Sequence, residues 1–148
     1  MATNDPPAKA QAACVLCLQP GGEVLRDDGF ARVVLAGDAD HPGFCRVILD
    51  AHVREMTDLP PAQRARLMEA VYAVEQALRE LLSPDKVNLA SFGNMVPHLH
   101  WHVIPRFADD PHFPDAVWAQ RKPRPGRPLP AGFGRALRKR LEELLEPR

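Results

Sequence analysis

The stretch HLHWHVI, His98 to Ile104, constrains the fold of this chain most, because histidines and apolar residues alternate along it. Successive side chains of a β-strand point to opposite faces. The alternation therefore predicts a strand with His98, His100 and His102 on one face and Leu99, Trp101 and Val103 on the other. The apolar face can pack on a core, and the other carries three imidazoles spaced about 6.5 to 7 Å along the strand. Half of the chain's six histidines stand in this row. Near neutral pH an imidazole can act as nucleophile, general acid or base, hydrogen-bond donor or metal ligand, so the row is the first place to look for a site.

The rest of the chain supplies partners for that strand. EVLRDDGFARVVLA contains two strand-like runs around Asp27-Asp28-Gly29, a hairpin signal, and FCRVIL and KVNLASF read as further strands, with GNMVP a turn before the histidines. Between them lies a helix. Thr57 or Asp58 is expected to cap it, Pro60 and Pro61 suit its first turn, Leu67, Val71, Val74, Leu78 and Leu81 form its apolar stripe, and Ser83-Pro84 ends it. Short links between strands favour an antiparallel sheet with the long helix packed on one face, an α+β domain for which 148 residues suffice. Residues 1–11 read as a loose N-terminal arm and 12–118 as the domain. Residues 119–148 read as a Pro/Arg-rich linker followed by an amphipathic helix striped by Phe133, Leu137, Leu141 and Leu144, which would dock on the body or on a dimer mate.

Charge and cysteine content exclude several classes. Nineteen basic residues balance nineteen acidic ones, but residues 119–148 hold nine of the former and three of the latter. No broad basic surface is indicated, so specific nucleic-acid binding is not expected, although the tail could touch an acidic partner. No apolar run approaches the roughly 20 residues that span a bilayer, and the first residues lack the apolar centre of a secretory signal, so the expectation is a cytoplasmic protein without membrane association. No phosphate loop of the Walker type is present, which argues against ATP-driven work. Cys14, Cys17 and Cys45 are too few for a disulfide framework. Cys14-x-x-Cys17 is half a zinc site by its spacing, whereas Cys45 reads as core.

With HLHWHVI preceded in order by GFCRVIL, DAHVREMTDLPP, the helix and NLASFGN, the chain resembles the histidine triad (HIT) family of nucleotide hydrolases and transferases over roughly Cys14 to Trp118. It looks like a bacterial member of the diadenosine polyphosphate hydrolase or nucleoside phosphoramidase type. The resemblance implies the HIT-like fold and a nucleotidyl-transfer mechanism. His100 would attack the α-phosphorus of a purine nucleotide, a covalent nucleotidyl-histidine would form, and water would release a nucleoside monophosphate. His102 would donate to a phosphoryl or leaving-group oxygen, and His98 would orient the site or serve elsewhere. Asn88 matches a family position that contacts phosphate, Asn94 in the Gly93-Asn94 turn could do likewise, Asp38 lies where a family carboxylate contacts ribose, and Trp118 could line the purine pocket or close a dimer. Arg106 reads equally as a phosphate contact or a surface charge. A homodimer is implied, and polyphosphate substrates usually travel with Mg²⁺.

Some relatives complete a cysteine pair with a histidine after the middle strand and the first triad histidine, which here implies a structural zinc on Cys14, Cys17, His52 and His98. One departure stands out: many members carry a fourth histidine after Pro-Gly, and this chain has Phe44 there. His41 could replace it only if the loop folds back. Two rival readings remain open, a nucleotide-binding or sensor module with little turnover, and a metalloenzyme with zinc on all three triad histidines.

Overall fold

The computed structural model describes residues 13–145, and the expected arm 1–11 lies outside them. Strands β1 (Glu23–Asp27) and β2 (Ala31–Leu35) form the predicted hairpin. The Asp27 carboxylate accepts the Gly29 N–H and the Asp28 carboxylate those of Phe30 and Ala31, while Gly29 takes the positive φ (82°) that the turn requires. Strand β3 (Cys45–Leu49) pairs with β2, and β5 (His100–Arg106) inserts between β3 and β4 (Lys86–Ala90). The sheet is antiparallel throughout, in the order β1-β2-β3-β5-β4, as the expected α+β class requires.

Register sorts the sheet into two faces. Val33, Val47 and Trp101 lie in one row and Leu35, Cys45 and Val103 in another, all facing the main core. Arg32, Ile48 and His100, then Val34, Arg46 and His102, form the rows of the opposite face. Helix α2 (Pro61–Leu82) covers the core face with Leu67, Val71, Val74 and Leu78, fully buried, and with Ala73 and Ala77. Burying such a stripe contributes roughly 1.5–3 kcal/mol for each large side chain. The expected cap needs correction. Met56–Asp58 forms a separate 3₁₀ turn closed by Glu55 and Asp58, and α2 starts after Pro60, which has no side chain able to cap it. Pro61 at the first helical position needs no N–H partner, so the helix starts without one. Ser83 ends it in the left-handed region at φ 47°.

A four-residue helix, α1 (Val15–Leu18), follows Cys14 on the opposite face. There Cys14 and Leu16 pack on Val34 and Ile48 in a second, smaller core. Helix α3 (Phe133–Leu144) packs on α2 and β1, burying Phe133, Leu137 and Leu141 in the main core. The Pro/Arg-rich segment before it is strapped to the body. Arg121 pairs with Asp40 and Arg127 with Asp109, and Gly126 approaches the Ala39 carbonyl so closely that a Cβ would lie 2.2 Å from it. Within α3, Arg138 and Arg140 reach Glu23 and Glu80, so the acidic partners of the basic tail belong to the chain itself.

Candidate functional site

Strand β5 begins at His100, two residues later than the histidine row suggests, because its partner β3 ends at Leu49 and Pro97 has no N–H to extend a ladder. His98 therefore sits at the entrance of the strand, fully buried. Its Nε2–H donates to the Leu49 carbonyl at 2.5 Å, which leaves Nδ1 as the acceptor. His100 has the other tautomer. Its Nδ1–H donates to the carbonyl of His98 at 2.5 Å, so the lone pair is on Nε2.

His100 and His102 line a cavity of about 610 Å³ together with Arg46, Gly93, Asn94 and Trp118. Their rings meet edge to face at 4.9 Å. His102 also meets the Phe44 ring at 5.5 Å and the Trp118 ring at 5.4 Å, and Phe92 meets Trp118 at 4.8 Å. Burial, with the charges of His100 and Arg46 adding to it, holds His102 down to about 4, so it is neutral near pH 7. Its Nδ1 is buried without a hydrogen-bond partner among the described residues. Phe44, 5% exposed, thus fills the space beside the third triad histidine with an apolar edge. His41 does not replace the missing histidine: its Nε2 lies 2.9 Å from His112 Nδ1, and its Nδ1 lies 3.9 Å from Asp110.

The four residues of the implied zinc set converge. Cys14 Sγ lies 3.3 Å from His98 Nδ1, Cys17 Sγ lies 3.4 Å from the same atom, and Cys17 Sγ lies 3.3 Å from His52 Nδ1. All four ligand atoms fall within 4.8 Å of one another. Bonds of about 2.3 Å to sulfur and 2.05 Å to nitrogen set a tetrahedral S···N edge near 3.5 Å, so the spacing suits zinc. The Leu49 carbonyl fixes the His98 tautomer that such a site needs. Since His98 Nδ1 faces the cysteines and His100 Nδ1 faces a carbonyl, the triad does not converge on one ion.

Other expected residues lie elsewhere. Asn94 and Trp118 line the cavity, but Asn88 and Asp38 do not. Asn88 accepts a hydrogen bond from Arg106 at 2.9 Å, and exposed Asp38 accepts the N–H groups of Asp40 and His41. Arg106 is not a surface charge. It is 2% exposed and grips Asp110 through two nitrogens, at 2.8 and 3.1 Å. Asp110 also accepts three backbone N–H groups, and together these donors outweigh its burial and hold its carboxyl far below the usual range. Cys45 is core, and burial pushes its thiol up to about 12.

Two arginines, Arg32 and Arg46, escaped the sequence reading, and a third, Arg106, was named there without its buried role. Arg32 donates to the carbonyls of Leu16, Gln19 and Pro20 and pairs with Asp50, fastening the cysteine segment to the sheet. Arg46 enters the triad cavity, and Arg106 ties down the loop that leads to Trp118. Arginine in a strand reads as a solvent-facing residue, and only strand pairing shows that these stand on the site face.

Comparison with known proteins agrees with this geometry. The asymmetrical bis(5'-nucleosyl)-tetraphosphatase of Schizosaccharomyces pombe is 31% identical over 84 residues, which span 53% of this chain and 46% of that protein, under half its length. A histidine triad protein from Bradyrhizobium japonicum superposes with a TM-score of 0.73 at 29% identity, covering 92% of this chain and 99% of that one. A Zn-bound histidine triad family protein from Mycobacterium smegmatis gives 0.62 at 26% identity, covering 89% and 95% respectively. Residues 20–109 match the HIT domain, and with the triad strand inside that match, near its end, the chain belongs to the HIT domain family.

Proposed function

We propose that this chain is a nucleotide hydrolase that works at the α-phosphorus by nucleotidyl transfer through His100, releasing a nucleoside monophosphate from a dinucleoside polyphosphate or a nucleoside phosphoramidate. The observation that carries the proposal is the tautomer of His100 inside the cavity, with Nδ1–H on the His98 carbonyl and the lone pair on Nε2. A neutral imidazole of this form is a competent nucleophile at pH 7. Nε2 bonds to phosphorus as the bond to the leaving group breaks, and the leaving group takes the electron pair. Water then adds to phosphorus, the P–N bond breaks, and its pair returns to Nε2. In sum, hydroxyl passes to the nucleotidyl group and a proton to the leaving group.

The surroundings support the same reading. Neutral His102 has one N–H to offer a phosphoryl oxygen, and the Gly93-Asn94 turn brings amide groups to the cavity wall. The Phe92–Trp118 pair offers a purine an aromatic surface. Asn88 and Asp38 enter only through other residues, Asn88 by holding Arg106 and Asp38 by its charge near Arg46. The named activity of the fission-yeast relative is consistent with a polyphosphate substrate, with Mg²⁺ arriving on it.

A structural zinc on Cys14, Cys17, His52 and His98 belongs to the proposal, supported by the ligand spacing and by the Zn-bound relative. Four protein ligands leave no open position, so the ion would supply a cross-link between the cysteine segment and the triad strand. A homodimer is also part of the reading: exposed Val15, Phe92, Met95 and Trp118 leave apolar surface around the cavity, and sedimentation equilibrium tests it. Phe44 on His102 favours a second reading, a nucleotide-binding or sensor module with little turnover.

AMP release from diadenosine tetraphosphate and from adenosine phosphoramidate, by the parent protein beside His100→Ala, tests the choice. Release that falls at least about 1,000-fold in the variant supports nucleotidyl transfer. AMP binding without release from either substrate supports the sensor reading instead.

A further inference from the structure

Arg46 sits on β3 directly across from His102, and Ile48, two residues on, faces His100. Among the described residues lining the triad cavity it is the single Lys or Arg, and no Asp or Glu lines that cavity. Its Nη1–H donates to the Gly21 carbonyl at 2.8 Å, and its guanidinium carbon stands 5.5 Å from the centre of the Phe44 ring. Among the described residues no carboxylate comes within ion-pair distance of it. Six of the chain's other arginines each pair with one or more carboxylates of the chain at 3.2 Å or less, namely Arg32, Arg66, Arg106, Arg121, Arg127 and Arg140. A guanidinium does not lose its proton at any physiological pH, so a half-buried charge faces the cavity with Asp38 acting on it from a distance and no carboxylate in contact with it. What completes it is an anion.

The position of the charge says which part of a nucleotide it meets. Arg46 stands one strand repeat past the nucleophile, beside the third triad histidine, so it lies beyond the phosphorus that His100 attacks. A fixed cation there stabilises negative charge that builds on a departing phosphate oxygen, without any proton transfer. It gives nothing to a departing amine, which must be protonated, because arginine has no proton to give.

We infer that Arg46 reads the phosphates beyond the α-phosphorus and makes this cavity selective for phosphoanhydrides, nucleotides with two or more linked phosphates, over phosphoramidates. This rests on the nucleotidyl-transfer reading for the direction of cleavage. In the favoured reaction Nε2 of His100 bonds to the α-phosphorus and the P–O bond to the next phosphate breaks. The electron pair stays on that oxygen, whose negative charge the Arg46 guanidinium meets. Phe44 acquires a purpose in this arrangement, because one aromatic ring both flanks His102 and lies beneath the guanidinium.

The test uses the full chain, with Arg46→Met and Arg46→Lys. Equilibrium binding of AMP, ADP and ATP reads the charge without turnover. The parent is expected to bind ATP at least about tenfold more tightly than AMP, Arg46→Met to lose that increment with AMP affinity held within about threefold, and Arg46→Lys to keep part of it. In kcat/KM, Arg46→Met is expected to lose about 100-fold on diadenosine tetraphosphate and under fivefold on adenosine phosphoramidate. An ATP increment retained in Arg46→Met, or equal losses on both substrates, overturns the inference. If Arg46→Met does not fold, Arg46→Lys decides: an unchanged increment together with an unchanged substrate ratio overturns the inference, and a reduced increment supports it. A parent without turnover sinks the nucleotidyl-transfer reading alone, because the binding series still decides the role of Arg46. His100→Ala, by contrast, is expected to lose turnover and keep the ATP increment.

Discussion

The carbonyl oxygen of His98 holds the Nδ1–H of His100, so the first triad histidine serves the second through its backbone while its ring faces the cysteines. The tautomer of His100 is thereby set before any nucleotide arrives. Nitrogen-15 NMR of the histidine side chains at pH 7.5 is expected to show His100 protonated on Nδ1 and bare on Nε2. A proton on Nε2 would remove the nucleophile from the proposed mechanism.

The cysteine cluster is expected to hold one zinc per chain. In Cys14→Ser/Cys17→Ser the metal found by elemental analysis should fall to near zero, and stability in urea should drop by at least about 3 kcal/mol, because metal binding of this kind is folding free energy. Zinc retained at a full equivalent in the double variant would refute the Cys2His2 assignment.

His102 makes the protein acid-sensitive. Its folded value of about 4 lies below the ordinary 6.5, so the unfolded chain takes up the proton first as the pH falls. Its share of stability is intact above about pH 6.5 and is lost progressively down to about pH 4, by up to about 3 kcal/mol. Chemical denaturation at a series of pH values should show this slope in the parent and a shallower one in His102→Asn. Equal slopes would mean that other groups carry the acid response.

Arg106 and Asp110 form a buried pair at 2.8 Å, with both side chains under 5% exposed. Removing one partner leaves the other charge buried and alone. Asp110→Ala is expected to cost about 3–5 kcal/mol, whereas replacing both partners with apolar residues should cost less. Arg106 also donates to the Asp115 carbonyl, three residues before Trp118, so Trp118 fluorescence in the folded single variant should shift. An Asp110→Ala protein as stable as the parent would show that the pair is dispensable.

Much of this architecture was legible in the amino-acid order because alternation and helical stripes are strong local signals. The hairpin at Asp27–Gly29, the stripe from Leu67 to Leu78 and the strand carrying His100 and His102 formed as those signals imply, although His98 stands just before that strand. The start of α2 was misread because Thr57 and Asp58 are good capping residues in any context, and here they serve a 3₁₀ turn instead. Cys14 and Cys17 were visible as a pair, but their meeting with His52 and His98 spans up to 84 positions and became readable only through resemblance to a family. Arg32 and Arg46 stayed hidden, and Arg106 was noticed without its buried role, because an arginine is identified by what it touches. Their partners, Leu16, Gly21 and Asp110, are brought to them by pairing between strands and by loops that no local pattern describes.

The strand order has a consequence for how such a chain is made. β5 lies between β3 and β4, yet it leaves the ribosome after both. While residues 50–99 are synthesised, the edge of β3 that β5 will occupy has no partner, and an unpaired edge strand invites association with other chains. The histidine strand closes that gap. The last strand to emerge is therefore the one that both seals the sheet and carries His100, so a nascent chain has no complete triad cavity until that open edge has been covered.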